Sequence, residues 1–273
     1  MLEFLKAILF GIVEGITEWL PISSTGHMIL LNEFVKLDVS LEFWEMFLVV
    51  IQLGAIAAVV LLFWNKIFPF RFEKKIVIRK DVFDMWFKVL VACVPAAVVG
   101  ILFDDILEKY LYNYITVSIA LIVFGIAFLI IEEKNKDKKP RIKKISQLTY
   151  KTAALIGVFQ LIAAIFPGTS RSGATIVGAL LIGVSRTVAA EFTFFLAIPV
   201  MLGASLLKVV KFGLSFTGFE LGILCTGMLV AFLVSIFVIK FLMDYIKKND
   251  FKVFGWYRIV LGAVVLLYFG IIA

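Results

Sequence analysis

The sequence predicts an all-α membrane protein, a polytopic helical bundle built from two inverted-topology repeats. The chain is 62% hydrophobic and 17% charged, with a mean hydropathy of +1.06, whereas soluble domains are roughly 45–50% apolar. Six apolar segments are long enough to cross the roughly 30 Å hydrocarbon core of a bilayer. Two further apolar segments each run into a proline followed by small polar residues, one in each half of the chain.

Each half reads as a broken hairpin followed by three full spans. The first repeat, 1–132, begins with a hairpin over about 2–44 that is interrupted at Pro21. Its spans are predicted at about 45–64, 86–103 and 115–132. Irregular backbone at membrane depth is tolerated where it is buried in protein or lines a cavity, so we expect a re-entrant hairpin that enters and leaves on one side.

The second repeat follows a basic linker, 133–150, and occupies 151–273. Its hairpin covers about 151–187 and is interrupted at Pro167 and Gly168. Its spans are predicted at about 190–209, 219–240 and 256–273. No stretch remains for a soluble domain.

The repeat is visible in the residues themselves. A shift of 146 positions aligns glycines, prolines and serines of the two halves, and three inserted residues then bring further positions into register. The aligned pairs include Gly11 and Gly157, Pro21 and Pro167, Ser24 and Ser170, Glu42 and Glu191, and Gly54 and Gly203. Since each half has an odd number of spans, the halves are expected to be inverted in the membrane, a known membrane-protein architecture.

Charge gives an independent prediction of topology. The connections 65–85, 133–151 and 240–258 carry 19 of the 27 basic residues, whereas 104–114 and 208–220 carry three. Basic connections mark the cytoplasmic side, so the first hairpin should open from the outside and the second from the inside. The net charge of +7 is therefore a topology signal and does not indicate nucleic acid. For the linker, a solvated segment that fixes topology is favoured over a site for anionic lipid headgroups.

The first hairpin contains two carboxylates in an apolar run. Glu14 and Glu18 are four residues apart and share one helix face. Ionisable side chains in such a setting are costly and usually mark a functional site. The pair could bind magnesium or calcium, act as acid and base, or pair with Arg171. The alternative is that one carboxylate is solvated at a helix end.

Hydroxyls and the chain's single histidine follow the first break. Ser23, Ser24 and Thr25 exceed what a helix cap requires, and Gly26 and His27 come next. His27 could accept a proton, protonate a leaving group or act as a nucleophile, although a lone histidine is often structural.

The second break is followed by residues typical of an anion clamp. Hydroxyls and amides around a glycine form a concave donor surface, and a guanidinium donates to phosphate in a bidentate manner. These residues are Ser170, Arg171, Ser172, Gly173 and Thr175. Together with the carboxylates they supply the parts that phosphoryl transfer needs. Arg186 is a weaker candidate, since interface anchoring explains it equally well.

With these motifs in hand, 14–27 and 167–175 resemble the two signatures of the bacterial undecaprenyl-diphosphate phosphatases, the bacitracin-resistance family. The resemblance covers essentially the whole chain. It implies a divalent cation and a site reached from the outer face of the cytoplasmic membrane. It further implies that Glu14 and Glu18 bind the metal or activate the nucleophile, and that Ser24 is the nucleophile, assisted by Thr25 and His27. The residues that the resemblance implies for holding the diphosphate are Ser170, Arg171 and Ser172, with Ser23, Gly26, Gly173 and Thr175 around it. Whether serine or histidine attacks stays open.

The main rival class is a lipid-carrier transporter, because opposed broken hairpins are also typical of alternating-access carriers. A phosphatidic-acid-phosphatase type of chemistry needs two histidines and is excluded by the single His27. The expected partners are a polyprenyl diphosphate lipid and membrane lipids, with no nucleic acid. Oligomeric state stays open, with a homodimer as one expectation.

Overall fold

A computed structural model describes residues 1–72, 76–213 and 215–271, and the chain is helical almost throughout. The helices before the linker are α1 (Leu2–Thr17), α2 (Ser24–Phe34), α3 (Leu41–Val50), α4 (Gln52–Ile67), α5 (Lys80–Leu111) and α6 (Tyr114–Asn135). Those after it are α7 (Tyr150–Ile165), α8 (Arg171–Leu181), α9 (Arg186–Phe212), α10 (Gly218–Tyr245) and α11 (Lys252–Ile271). A short two-stranded hairpin, β1 (Phe70–Phe72) and β2 (Ile76–Ile78), joins α4 to α5.

The six predicted spans are confirmed as helices long and apolar enough to cross a membrane. The first runs over Leu41–Ile67, through α3 and α4, and therefore begins four residues earlier than predicted. The last two residues of the predicted final span, 272 and 273, lie outside the described residues. The β1–β2 hairpin was not predicted; it lies within the connection 65–85, which was expected only to carry positive charge.

Local polar residues fix where several helices begin. A side-chain oxygen accepts a hydrogen bond from a first-turn amide at the N-caps of α3, α6, α7, α9 and α10, which are Ser40, Asn113, Thr149, Ser185 and Thr217. Such caps satisfy amides that have no partner within the helix.

The two halves interlock. Helix α1 of the first half packs most extensively on α10 of the second, and α7 of the second half packs on α5 of the first. Helices α6 and α11 pack on each other, and so do α3 and α9. If α1, α5 and α6 are exchanged for α7, α10 and α11, the pairing of α1 with α10 maps onto that of α7 with α5, and the pairing of α6 with α11 maps onto itself. This pairing is consistent with a two-fold repeat; the repeat and the inversion of its halves across a membrane stay predictions.

The linker is held in place along part of its length. Ile142 forms a parallel bridge with Val184 in the loop between α8 and α9, the Arg141 amide donates to the Gly183 carbonyl at 2.8 Å, and the Ser185 amide donates to the Ile142 carbonyl at 2.9 Å. The linker backbone therefore packs against the second repeat, while the linker's lysine side chains are exposed.

Candidate active site

Both breaks adopt the same backbone conformation. Among the described residues, Ser23 (φ 75°) and Ser170 (φ 68°) are the non-glycine residues with positive φ. Each is the N-cap of the following helix, and its hydroxyl accepts from the amide three residues on, Gly26 at 3.4 Å and Gly173 at 3.2 Å. A left-handed serine is unusual and strained. Its occurrence at equivalent points of both halves marks the two breaks as the candidate site.

Glu18 joins the two breaks. One carboxylate oxygen accepts from Nη2 of Arg171 at 2.9 Å, and the other accepts from Oγ of Ser24 at 2.9 Å. The backbone carbonyl of Glu18 accepts from Oγ of Ser172 at 3.2 Å. The Glu18 side chain is buried, so these charge-assisted bonds are little weakened by water. Residues separated by more than 150 positions thus form one cluster.

The guanidinium of Arg171 is held by α9 as well as by Glu18. Its Nη1 donates to the Thr193 carbonyl at 2.9 Å, and its Nε is buried without a hydrogen-bond partner. The hydroxyl of Thr175 is buried, pairs with the Thr193 hydroxyl at 2.8 Å and donates to the Arg171 carbonyl at 2.9 Å. In this structure Thr175 therefore supports Arg171, and its direct contact with a diphosphate stays a prediction.

A cavity of about 380 Å³ opens beside this cluster. Glu14, Ser24 and Thr25 line it together with residues of α3 and α9, and Tyr112 and Lys208 also contribute to its wall. The Glu14 side chain is 1% exposed, and its Oε1 has no hydrogen-bond partner. A buried carboxylate oxygen without a partner is costly unless a ligand completes it.

Glu14 and Glu18 supply only part of the oxygen ligands that the predicted divalent cation needs. Among the described residues no group of three or more histidine, cysteine, aspartate or glutamate side chains could hold a metal. Two carboxylates suffice for magnesium when substrate phosphate and water supply the remaining oxygens. The unpartnered Oε1 of Glu14 is consistent with such a site.

His27 lies apart from this cavity. Its Nδ1 is 2.7 Å from the Ser23 carbonyl, and its Nε2 is 2.7 Å from the Tyr257 hydroxyl. In the neutral tautomer that satisfies both contacts, Nδ1–H donates to Ser23 and Nε2 accepts from Tyr257. The ring stacks on Tyr257 and faces an apolar groove with Leu30 and Phe34. The structure thus brings Glu14, Glu18, Ser24, Thr25 and Arg171 together and directs His27 elsewhere.

The remaining predicted residues shape the breaks. The hydroxyls of Ser170 and Ser172 are 3.1 Å apart. A Cβ added to Gly173 would lie 2.8 Å from Nη1 of Arg258, and one added to Gly168 (φ +88°) would lie 2.5 Å from the Val117 carbonyl. Glycine is required at 168, where φ is positive and backbone approaches closely, while a side chain at 173 would displace the Arg258 guanidinium. Gly26, likewise in the first turn of its helix, is buried.

Sequence reasoning missed several residues that hold the site. Thr193 contacts Arg171, Arg258 contacts both breaks, and Tyr257 holds His27. The charge count assigned Arg258 to a cytoplasmic connection, which is wrong: the residue is fully buried within α11. A charge inside an apolar span is a functional signal that could have identified it. Arg186, for which anchoring was the alternative, pairs instead with the buried carboxylate of Glu132.

Comparison with known proteins adds an independent finding. The family model of the bacitracin resistance protein BacA matches residues 7–264. A protein of Desulfitobacterium hafniense named undecaprenyl-diphosphatase is 67% identical over 269 residues, which cover 98% of this chain and 97% of that one. Undecaprenyl-diphosphatase 1 of Clostridium acetobutylicum is 67% identical over 99% of both chains. An undecaprenyl-diphosphatase of Enterococcus faecalis is 63% identical over 97% of both.

Proposed function

We propose that the chain, which belongs to the family of the bacitracin resistance protein BacA, hydrolyses undecaprenyl diphosphate to undecaprenyl phosphate and inorganic phosphate. The single observation that carries the proposal is the Glu18 carboxylate, which bonds Ser24 on one break and Arg171 on the other. A hydroxyl, a carboxylate and a guanidinium thus meet at one point. Recycling of the lipid carrier and bacitracin resistance follow from this activity.

Ser24 is the proposed nucleophile. Its hydroxyl already donates to Glu18 at 2.9 Å, the contact through which a general base removes a proton. In the first step the Ser24 Oγ–P bond forms, the bridging P–O bond breaks, undecaprenyl phosphate leaves with the electron pair, and the proton moves to Glu18. In the second step water attacks the phosphorus, the Ser24 Oγ–P bond breaks, Oγ takes back the proton held by Glu18, and hydrogen phosphate leaves while the second proton of the water goes to solvent.

Arg171 and the two helix starts are the proposed cradle for the diphosphate. The terminal phosphate would replace Glu18 as the partner of Arg171 Nη2 and would also reach the unpartnered Nε. Both α2 and α8 begin at the breaks, and helix N-termini favour anions. Arg171 then stabilises the charge that develops on the phosphoryl oxygens, and its release from Glu18 leaves that carboxylate available as base.

Glu14 and Glu18 are the proposed ligands of magnesium or calcium. Such a cation, when bound, neutralises charge on the phosphates and polarises the phosphorus for attack. Thr25 lines the same cavity and is placed to donate to a bound phosphate.

The cavity is proposed to open to the outer face of the bacterial cytoplasmic membrane. Tyr112 and Lys208, which contribute to its wall, belong to the two connections with few basic residues. By the positive-inside rule those connections are external. A substrate with its diphosphate at that surface and its prenyl chain in the bilayer would reach Ser24 without leaving the membrane.

The test is phosphate release from undecaprenyl diphosphate by purified protein in detergent, with and without a chelator. Cation-dependent release is expected for wild type. Since general-base catalysis contributes typically 10²–10⁴-fold, Ser24→Ala and Glu18→Gln are expected to lose at least about 10²-fold. Ser235→Ala, which removes a buried hydroxyl of α10, is the matched control and should retain activity.

Absence of release by folded wild type with magnesium or calcium present would contradict the hydrolase. The symmetrical pairing of broken helices with the opposite half would then favour the transporter, and uptake of labelled lipid carrier into vesicles would be measured next.

A further inference from the structure

Arg258 bridges the two breaks. Its Nη2 donates to the carbonyls of Gly168 at 3.0 Å and Thr169 at 2.7 Å, and its Nη1 donates to the carbonyl of Pro21 at 3.2 Å. The residue is 0% exposed, and none of the ion pairs found among the described residues includes it. One guanidinium is therefore bonded to backbone of both broken hairpins.

The charge of Arg258 is stabilised by helix ends instead of a carboxylate. Pro21 follows the end of α1, and Gly168 and Thr169 follow the end of α7. Helix C-termini carry partial negative charge and favour cations. The carbonyls that Arg258 contacts thus follow the C-terminal ends of α1 and α7, while α2 and α8 begin at the residues of the phosphate site. Broken membrane helices that bind ions commonly divide their two ends between cation and anion in this way.

The guanidinium of Arg258 is closely confined by its neighbours. Nη1 of Arg258 lies so close to Gly173 that a Cβ there would be 2.8 Å away, so the guanidinium also packs on the first turn of α8. Nε donates to the Leu121 carbonyl of α6 at 3.4 Å. A planar fork with donors on several sides can satisfy these carbonyls together, whereas the ammonium of a lysine is a compact point charge.

We propose that Arg258 is a positioning residue for the reaction, which fixes the two breaks relative to each other so that Ser24 and Glu18 of one meet Arg171 of the other. The proposal rests on the proposed function. Arg258 is 0% exposed and its hydrogen bonds go to backbone carbonyls, so it acts through the breaks and does not touch substrate. An ordinary buried arginine that only stabilises the bundle makes different predictions.

The first measurement compares kcat, KM and thermal unfolding of Arg258→Lys and Arg258→Met in detergent. Lysine keeps the charge but cannot bond both breaks, and a misplacement of about 1 Å can cost about 10²-fold in rate. Arg258→Lys is therefore expected to lose about 10²-fold in kcat per folded molecule with little change in KM, while carbonyls left without a donor lower its unfolding temperature. Arg186→Lys, at an arginine whose partner Glu132 belongs to neither break, is the matched control and should keep its kcat.

The second measurement reads the spacing of the breaks without activity. The parent protein has Cys93 and Cys225 replaced by serine and carries spin labels on Ile16→Cys and Phe166→Cys. These positions lie near the ends of α1 and α7 and are 36% and 43% exposed. Pulsed electron paramagnetic resonance then gives the distribution of distances between the two labels. Arg258→Lys should broaden a distribution that is narrow in the parent, whereas Arg186→Lys should not.

Two results would overturn the proposal: full kcat in Arg258→Lys whatever its distance distribution, or a kcat loss with an unchanged distribution. If Arg258→Met fails to fold, Arg258→Lys alone decides. If wild type releases no phosphate, the proposed function fails, while the distance distribution still tests whether Arg258 holds the breaks together.

Discussion

At the scale of single residues, Glu18 makes the contact on which the site depends. One oxygen of its carboxylate accepts from Ser24 and the other accepts from Arg171. Both hydrogen bonds, and therefore the contact between the two halves, form at the same time. Glu14 is buried one helical turn earlier with one oxygen unpartnered. Neighbouring carboxylates thus have different surroundings, which suggests different roles: Glu18 as base and Glu14 chiefly as cation ligand.

Glu14→Gln tests this division. Loss of one ligand charge should raise the magnesium or calcium concentration needed for half-maximal phosphate release by at least about tenfold, and saturating cation should restore part of the rate. The control is Glu191→Gln, another buried carboxylate, whose partner is Lys66, and its cation dependence should match wild type. Equal cation dependence in Glu14→Gln and wild type would remove Glu14 from the metal site.

His27 provides a second prediction at this scale. In this structure Nδ1 bonds the carbonyl of the left-handed Ser23, and an asparagine amide can replace that donor. His27→Asn should therefore retain about tenfold more activity than His27→Ala, with an unchanged pH–rate profile. If instead both variants lose about 10²-fold or more, as expected for a lost proton donor, His27 acts chemically.

The residue types of the site were predictable, but several of their relations were not. Carboxylates, hydroxyls and an arginine in apolar surroundings are visible in a single sequence because membranes make them costly. The bond between His27 and Tyr257 spans 230 residues, and the bond from Arg258 to Pro21 spans 237. Such contacts depend on how α11 packs against both hairpins, which no local pattern encodes.

At the scale of helices, the close crossing of α4 and α10 depends on Gly54. A Cβ there would lie 2.0 Å from the Met228 carbonyl, whereas one at its repeat partner Gly203 would meet nothing within 4 Å. The two halves were aligned by sequence, yet the same glycine serves packing in only one of them. The sequence predicted the six spans correctly because their length and hydropathy determine them. It did not predict which helix faces approach each other closely.

Gly54→Ala and Gly203→Ala form a matched pair for thermal unfolding in detergent. Overpacking typically costs about 1–3 kcal/mol, so Gly54→Ala should lower the unfolding temperature. Gly203→Ala should leave it unchanged or raise it, since alanine favours helix. Equal shifts in the two variants would show that α4 and α10 do not cross as closely as described.

At the scale of the whole molecule, the interlocking of the halves explains how one site forms from two distant segments. Since α1 packs on α10 and α7 on α5, neither hairpin is held by its own half alone. The first break can therefore meet the second only when both halves are in place. The repeat in the sequence predicted that the two breaks meet. The packing of each hairpin helix on a helix of the other half was seen only in the structure.

Topology is the prediction that belongs to this scale. In protein with Cys93 and Cys225 replaced by serine, Tyr110→Cys and Lys139→Cys place single thiols on exposed positions of opposite connections. A membrane-impermeant maleimide applied to intact cells should label position 110 and spare 139, with both labelled after lysis. The reverse pattern would place the cavity on the cytoplasmic side.

The most direct test of the central claim is to trap the phosphorylated enzyme. Undecaprenyl diphosphate labelled in its terminal phosphate is mixed with enzyme, quenched within the first turnover in acid or in base, and the label is mapped by mass spectrometry. We predict acid-stable label on Ser24 that disappears in Ser24→Ala and in Glu18→Gln. Base-stable, acid-labile label on His27, or rapid turnover with no covalent label, would contradict the account.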